Sequence, residues 1–265
     1  MRGFLPVLVG GVFVLSVCFS CSTSSSTSPT PETDVVQISK VESTIHFLNA
    51  SDRLAEANVG GTRGVSMVDI ANDGWVDIAL TGPSIQLYRN TGDGQFEEGR
   101  SLVVEEGQYH NYGMAWGDID GDADLDLIVT GYEMGRHFAL WRNDGGMNFT
   151  QITDEAGIQG DVGGRGAVFS DLDHDGDLDL YICRGAVFGP GNPQGGRSSD
   201  LPQGGTDEGK NGYPNQVYRN DGTGKFEDVT DAWALSGRPT GETFVAVPFD
   251  FDYDGFRDLY VVHDW

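Results

Sequence analysis

The sequence predicts an all-β fold built of repeated four-stranded antiparallel blades, the architecture of a β-propeller, and three observations lead there. Glycine supplies 39 of 265 residues, about twice the ~7% usual in proteins, so many tight turns and short strands are expected. Four acidic segments align with one another: "DIANDGWVDIAL" from Asp69, "DIDGDADLDLIV" from Asp118, "DLDHDGDLDLYI" from Asp171 and "DFDYDGFRDLYV" from Asp250, with starts 49, 53 and 79 residues apart. A second motif, "LYRNTGDGQF" (87–96), "LWRNDGGMNF" (140–149) and "VYRNDGTGKF" (217–226), follows three of them. A repeat of about fifty residues carrying hairpin turns is the size of one propeller blade.

Each unit reads in the same order. A lead-in of small and apolar residues ("GVSMVD", "GMAWGD", "GAVFSD", "FVAVPFD") predicts a first strand. The acidic loop follows, then a strand rich in Val, Ile, Leu and Tyr, a third strand closing on "YRN" or "WRN", a Gly turn, and a fourth strand opening on Phe. The units fall at about 60–105, 110–160, 163–235 and 240–265. The third is lengthened by an insertion, 187–212, poor in apolar side chains, which reads as a surface loop and a candidate contact region. Residues 45–61 resemble the fourth strands of later units and read as an outer strand displaced to the front of the chain. Such a strand completes the last blade of a ring and removes a raw edge. Three and a half units do not close a ring of the usual size, so the body, 41–265, is expected to be an incomplete propeller, or an arc completed by another chain.

Composition bounds the function. Against 41 acidic side chains stand 16 basic ones, a net charge of −25, which excludes nucleic acid as a partner because phosphates require a basic footprint. With 14 Phe, 9 Tyr and 5 Trp the chain still has the material for a core. Residues 1–21 hold one Arg, an apolar run from Phe4 to Phe19, and Cys21; residues 22–40 are rich in Ser, Thr and Pro. This is the layout of a secretory signal and tether, the run being short for a membrane span needing ~20 residues. It resembles a bacterial lipoprotein signal with lipidation at Cys21, Cys18 being the competing site. The expected location is therefore the outer membrane or cell surface, or else secreted or periplasmic, with the membrane reached only through the lipid. Cys183 is then the one thiol of the mature body, set in "LYICRG" as a buried strand residue, so no intramolecular disulfide braces the fold.

The acidic loops carry the chemistry. With Asp171 as position 1, Asp173, Asp175 and Asp179 fall at 3, 5 and 9, and Gly176 at 6 permits a sharp turn. Alternate side chains converge on one centre, and the carbonyl of Asp177 at position 7 adds an oxygen, a hard-cation site of the calcium type. An EF-hand is excluded because position 12 is Ile182, where that loop needs a bidentate Glu. Asp250, Asp252, Asp254 and Asp258, with the Phe256 carbonyl, fit every position. Asp118, Asp120, Asp122 and Asp126, with Asp124 at position 7, fit with Ala123 in place of the Gly. Asp69, Asp73 and Asp77, with Trp75 at position 7, lack the position 3 carboxylate, which is Ala71, so this site is expected to be the weakest. Four loops in register favour Ca2+ over solvated turns, because clustered carboxylates repel without a cation. Magnesium keeps its waters and suits such cages less well.

At these residues the chain resembles the FG-GAP/VCBS-type repeats of integrin alpha-subunit propellers and their bacterial relatives. The combination of "D.D.DG..DLY" with "PNQVYRNDGTGKFEDVT" is closest to the ASPIC/UnbV and cartilage acidic protein group. The resemblance implies a calcium-stabilised, usually seven-bladed, exported propeller used in adhesion or ligand binding.

No catalytic constellation stands out. The five histidines, His46, His110, His137, His174 and His263, are dispersed, no G-x-S-x-G or phosphate-binding Gly loop occurs, and no C-x-x-C lies outside the leader. His174, at position 4 of its loop, is expected to point outward, and "GQYHNYGMAW" (107–116) to pack in the core or at a blade rim rather than line a pocket. The expected function is a non-enzymatic calcium-binding module that takes a protein or carbohydrate ligand at the bacterial cell surface. The alternatives are the scaffold of an extracellular lyase or hydrolase, or support for an ASPIC/UnbV-type domain.

Overall fold

The computed structural model describes residues 53, 62–104, 111–131, 138–159, 164–184, 214–233 and 242–264. They belong to the second of two units into which the chain divides, Met1–Phe47 and Leu48–Trp265. The leader with Cys18 and Cys21, the tether 22–40, the displaced strand 45–61 apart from Arg53, and the insertion 187–212 lie outside the described residues. So do His46, His110 and His137.

Among its described residues the second unit is all-β, with three four-stranded sheets and a two-stranded one. The first blade runs β1 (Gly64–Val68), β2 (Asp77–Thr81), β3 (Ile85–Asn90) and β4 (Phe96–Leu102). The second runs β5 (Asn111–Gly117), β6 (Asp126–Gly131), β7 (Phe138–Asn143) and β8 (Phe149–Gln151). The third runs β9 (Gly164–Ser170), β10 (Asp179–Arg184), β11 (Gln216–Asn220) and β12 (Phe226–Asp228), and β13 (Glu242–Phe249) pairs with β14 (Asp258–Asp264) in the fourth. Within each four-stranded sheet, strands neighbour one another in chain order and pair antiparallel. Every acidic loop joins the first strand of its blade to the second. Every third strand closes on the Asn of its Y/W-R-N motif, and every fourth opens on Phe. Among the described residues, no helix is long and apolar enough to cross a membrane.

The second strands explain where the core sits. β6 (DLIVTG) and β10 (DLYICR) are buried at every residue. Successive side chains of a strand point to opposite faces, so a run apolar at nearly every position must be covered on both. Leu127 and Val129 pack with Ile70, Ile85 and Leu87 of the first blade. Ile128 packs with Leu180 and Ile182 of the third. Tyr181 and Cys183 turn the other way, toward Ala246, Leu259 and Val261. Apolar area removed from water at ~25 cal/mol per Å² thus accrues between blades rather than within them. Cys183 is buried as expected, and burial pushes its thiol up to about 12. Trp116, from the aromatic stretch, packs edge-on to Phe149 and donates its indole N–H to Ser66 Oγ of the first blade at 2.7 Å.

The small residues of the lead-in strands have a steric cause. A Cβ on Gly113 would lie 2.6 Å from the Arg165 carbonyl oxygen, and one on Gly166 would lie 2.8 Å from that of Phe244. Each stands five residues before the first Asp of its loop, where the first strand of one blade passes the backbone of the next. A side chain there would hold adjacent blades apart.

Candidate metal centre

The acidic loops are ordered by their own carboxylates. At position 1, one oxygen of Asp69, Asp118, Asp171 or Asp250 accepts the N–H of position 5. The other oxygen accepts that of position 6, at 2.7 to 3.2 Å. The position 5 carboxylate accepts the N–H of position 7, from Trp75, Asp124, Asp177 and Phe256 respectively. Such short side-chain to backbone bonds are what Asp offers a tight turn.

Two residues per loop take left-handed backbone. Position 6 does so with φ of 89° at Gly74, 100° at Gly176 and 93° at Gly255, and Ala123 follows at 73°. The substitution in the second loop therefore leaves the turn intact, at a cost of about 1–2 kcal/mol for a side chain in that region. Position 4 is left-handed as well, at Asn72, Gly121, His174 and Tyr253. Sequence reasoning missed this, although Asn, Gly and His at that place are a signal for it. Asn72 uses the turn to donate its amide to the Ala123 carbonyl of the neighbouring loop at 3.2 Å. His174 is exposed, as expected, with its ring 4.9 Å from that of Phe256 in the fourth loop.

Position 9 behaves differently. Asp77, Asp126 and Asp179 are fully buried at the heads of β2, β6 and β10, whereas Asp258, at the head of β14, is exposed. Asp126 accepts the Ile119 N–H on one oxygen and the Asn143 N–H on the other, at 2.9 and 2.8 Å. Asp179 does the same with Leu172 and Asn220, at 2.9 and 3.0 Å. The position 9 carboxylate therefore straps the loop to the third strand. The Asn it meets completes the joint, as the side-chain amide of Asn143 reaches the Ile70 carbonyl of the preceding blade at 3.1 Å. That of Asn220 reaches the Ile119 carbonyl at 2.8 Å. The Asn of the Y/W-R-N motif, which sequence reasoning used only as a repeat marker, connects blade to blade at Asn143 and Asn220, while Asn90 donates to the Val76 carbonyl of its own loop.

Three of the four loops gather carboxylates. Oxygens of Asp118, Asp120 and Asp122 lie within 4.8 Å of one another, as do those of Asp171, Asp173 and Asp179, and those of Asp250, Asp252 and Asp254. The structure places Asp126, Asp175 and Asp258 in the same loops, and it gathers no such triad from Asp69, Asp73 and Asp77. Oδ1 of Asp120 is buried with no hydrogen-bond partner among the described residues. A buried, orphaned carboxylate oxygen beside two other carboxylates fits a hard cation bound through oxygen. The electrostatics agree. Burial, then repulsion from Asp122, raises the Asp120 carboxyl above its ordinary range, and burial, then Asp175, raises that of Asp173. In the first loop the sign is opposite, because the hydrogen bond from Arg89 holds Asp73 low.

Burial also pushes the Asp126 carboxyl up to about 7, against the two N–H groups that favour its ionised form. The folded state therefore binds this proton more tightly than the unfolded chain. The resulting stabilisation is full below the unfolded value near 4 and is lost as pH rises through about 7. In chelator, melting temperature is expected to fall between roughly pH 4 and pH 7, and Asp126→Asn to flatten that slope. A slope unchanged by the substitution would assign the titration elsewhere.

Comparison with known proteins matches two FG-GAP-like repeats to residues 69–129 and 125–182. The first match opens on Asp69 and closes in β6, and the second opens beside Asp126 and closes in β10, so each runs from an acidic loop to the second strand of the next blade. Cartilage acidic protein 1 of Homo sapiens is 30% identical over 229 residues, covering 82% of this chain and 31% of the relative. Cartilage acidic protein 1 of Xenopus tropicalis is 28% identical over 231 residues, covering 81% and 31%. The chain thus spans about a third of the length of the curated relatives it matches. Repeated blades, acidic loops in register and the matched segments agree: residues 69–182 carry two FG-GAP-like repeats.

Proposed function

We propose that the chain is an exported, calcium-locked binding module that presents its blades to a protein or carbohydrate ligand at the cell surface and performs no catalysis. The observation that carries this reading is the recurrence, in three neighbouring blades, of three carboxylates whose oxygens lie within 4.8 Å of one another. Asp118, Asp120 and Asp122 would hold one calcium, with Asp126 behind them. Asp171, Asp173 and Asp179 would hold a second, and Asp250, Asp252 and Asp254 a third, with Asp175 and Asp258 in reach of their loops. The position 7 carbonyls of Asp124, Asp177 and Phe256 are further oxygen donors. Bound calcium would supply positive charge to clusters that otherwise repel, fixing loops that also touch their neighbours through Asn72 and His174. The apolar leader, Cys21 and the Ser/Thr/Pro-rich tether support export and a lipid anchor.

The test is binding to a panel of immobilised glycans and extracellular proteins in calcium and in EGTA, with the same glycans assayed for cleavage. Ligand capture that is lost in EGTA, without cleavage, is expected. Turnover of a glycan by the intact chain would replace this reading with an enzymatic one.

A further inference from the structure

We propose that the first acidic loop is closed by Arg89 in place of a cation, so that the first blade forms without calcium and the chain binds one calcium fewer than it has acidic loops. The inference rests on the calcium reading of the other three loops and departs from it at the first.

The guanidinium of Arg89 donates twice to one oxygen of Asp73, from Nη2 at 2.8 Å and Nε at 3.2 Å. Position 3 of this loop is Ala71, where the others have Asp120, Asp173 and Asp252. From positions 1 to 9 the first loop carries Asp69, Asp73 and Asp77, whereas the second and third carry an Asp at each odd position. One guanidinium beside three carboxylates leaves far less repulsion for a cation to relieve.

Every carboxylate oxygen of the first loop is already engaged. Those of Asp69 accept the N–H groups of Asp73 and Gly74. Those of Asp77 accept those of Ile70 and Ala71 on one side and Asn90 on the other. Those of Asp73 take Trp75 N–H and Arg89. In the second loop, by contrast, Asp120 keeps a buried oxygen that accepts nothing from the described residues.

The neighbouring blades show that this arginine has a choice. Arg142 turns to Asp144 of its own hairpin at 2.7 Å, and Arg219 to Glu227 at 2.7 Å. Glu97 stands opposite Arg89 in register as Glu227 stands opposite Arg219. Arg89 nevertheless turns to its loop, the one that lacks a position 3 carboxylate. Arginine suits that place, since its planar fork matches a carboxylate and its charge is permanent.

Trp75, at position 7 of this loop, makes the test direct, because terbium bound there in place of calcium would be excited through its indole. In the unaltered chain, Trp75→Phe is expected to leave terbium emission unchanged. Ala71→Asp combined with Arg89→Gln restores the pattern of the other loops. It is expected to add one bound cation by calorimetry and a several-fold gain in emission that disappears when Trp75→Phe is added. Loss of most emission from Trp75→Phe alone, or a double variant that binds no additional cation, would overturn the proposal. If the double variant does not fold, Arg89→Gln alone decides: a weaker Trp75-dependent emission supports the proposal and its absence overturns it. An unaltered chain that binds no cation defeats the calcium reading of the other loops, while cation binding by the double variant still tests the first loop separately.

Discussion

Transfer of the chain from calcium well above its dissociation constant into excess EGTA is expected to lower its unfolding free energy by about 4–8 kcal/mol. Each site filled at roughly 10 to 100 times its dissociation constant adds about 1.4–2.7 kcal/mol, and three loops gather the carboxylates such sites need. Extracellular calcium modules bind at about 0.1–1 mM, so roughly 10 mM calcium reaches that range. The corresponding fall in melting temperature is roughly 10–30 °C for a body of this size. Magnesium at the same concentration is expected to restore little, because it demands near-ideal octahedral geometry and dehydrates reluctantly. Thermal melts followed by circular dichroism decide the matter: a melting temperature indifferent to chelation removes calcium from the account.

Asp179→Ala carries the next largest effect, roughly 2–5 kcal/mol, and it should persist in EGTA. Asp179 is fully buried and satisfies the N–H groups of Leu172 and Asn220. Truncation strands both donors, at about 1–3 kcal/mol each for a buried unsatisfied group. Asp177→Ala, two residues away, should stay within about 0.5 kcal/mol, since its partly exposed carboxylate lies against Gly222 and straps nothing. Denaturant titrations of both variants in calcium and in EGTA separate the roles. If Asp179→Ala is mild in EGTA, the strap has no structural weight. If both substitutions weaken calcium binding equally, the loop register is wrong.

The repeat made most of the fold legible. Alternating turns and apolar runs placed the strands of each blade, and Phe96, Phe149 and Phe226 opened the fourth strands where the motif put them. The acidic positions were legible too, because a loop that orders itself through its own carboxylates leaves its whole pattern in a nine-residue window. What lay further apart in the chain was not. Asn143 meets Ile70 across 73 residues and Asn220 meets Ile119 across 101, and no local pattern encodes such a pairing. The left-handed residue at position 4 was hidden by variety, since Asn72, Gly121, His174 and Tyr253 share a conformation without sharing chemistry.

The sequence by itself determined the blade and its acidic loop, since these follow from hydrophobic period and short-range Asp and Gly chemistry. Only the tertiary structure decided how blades join and which partner each arginine of the Y/W-R-N motif takes. Arg89 and Arg219 occupy the same place in the same motif, and the sequence around them does not say that one turns to its loop and the other to its hairpin. That choice depends on which carboxylates the fold brings within reach of a guanidinium, and so on three-dimensional distance rather than spacing along the chain.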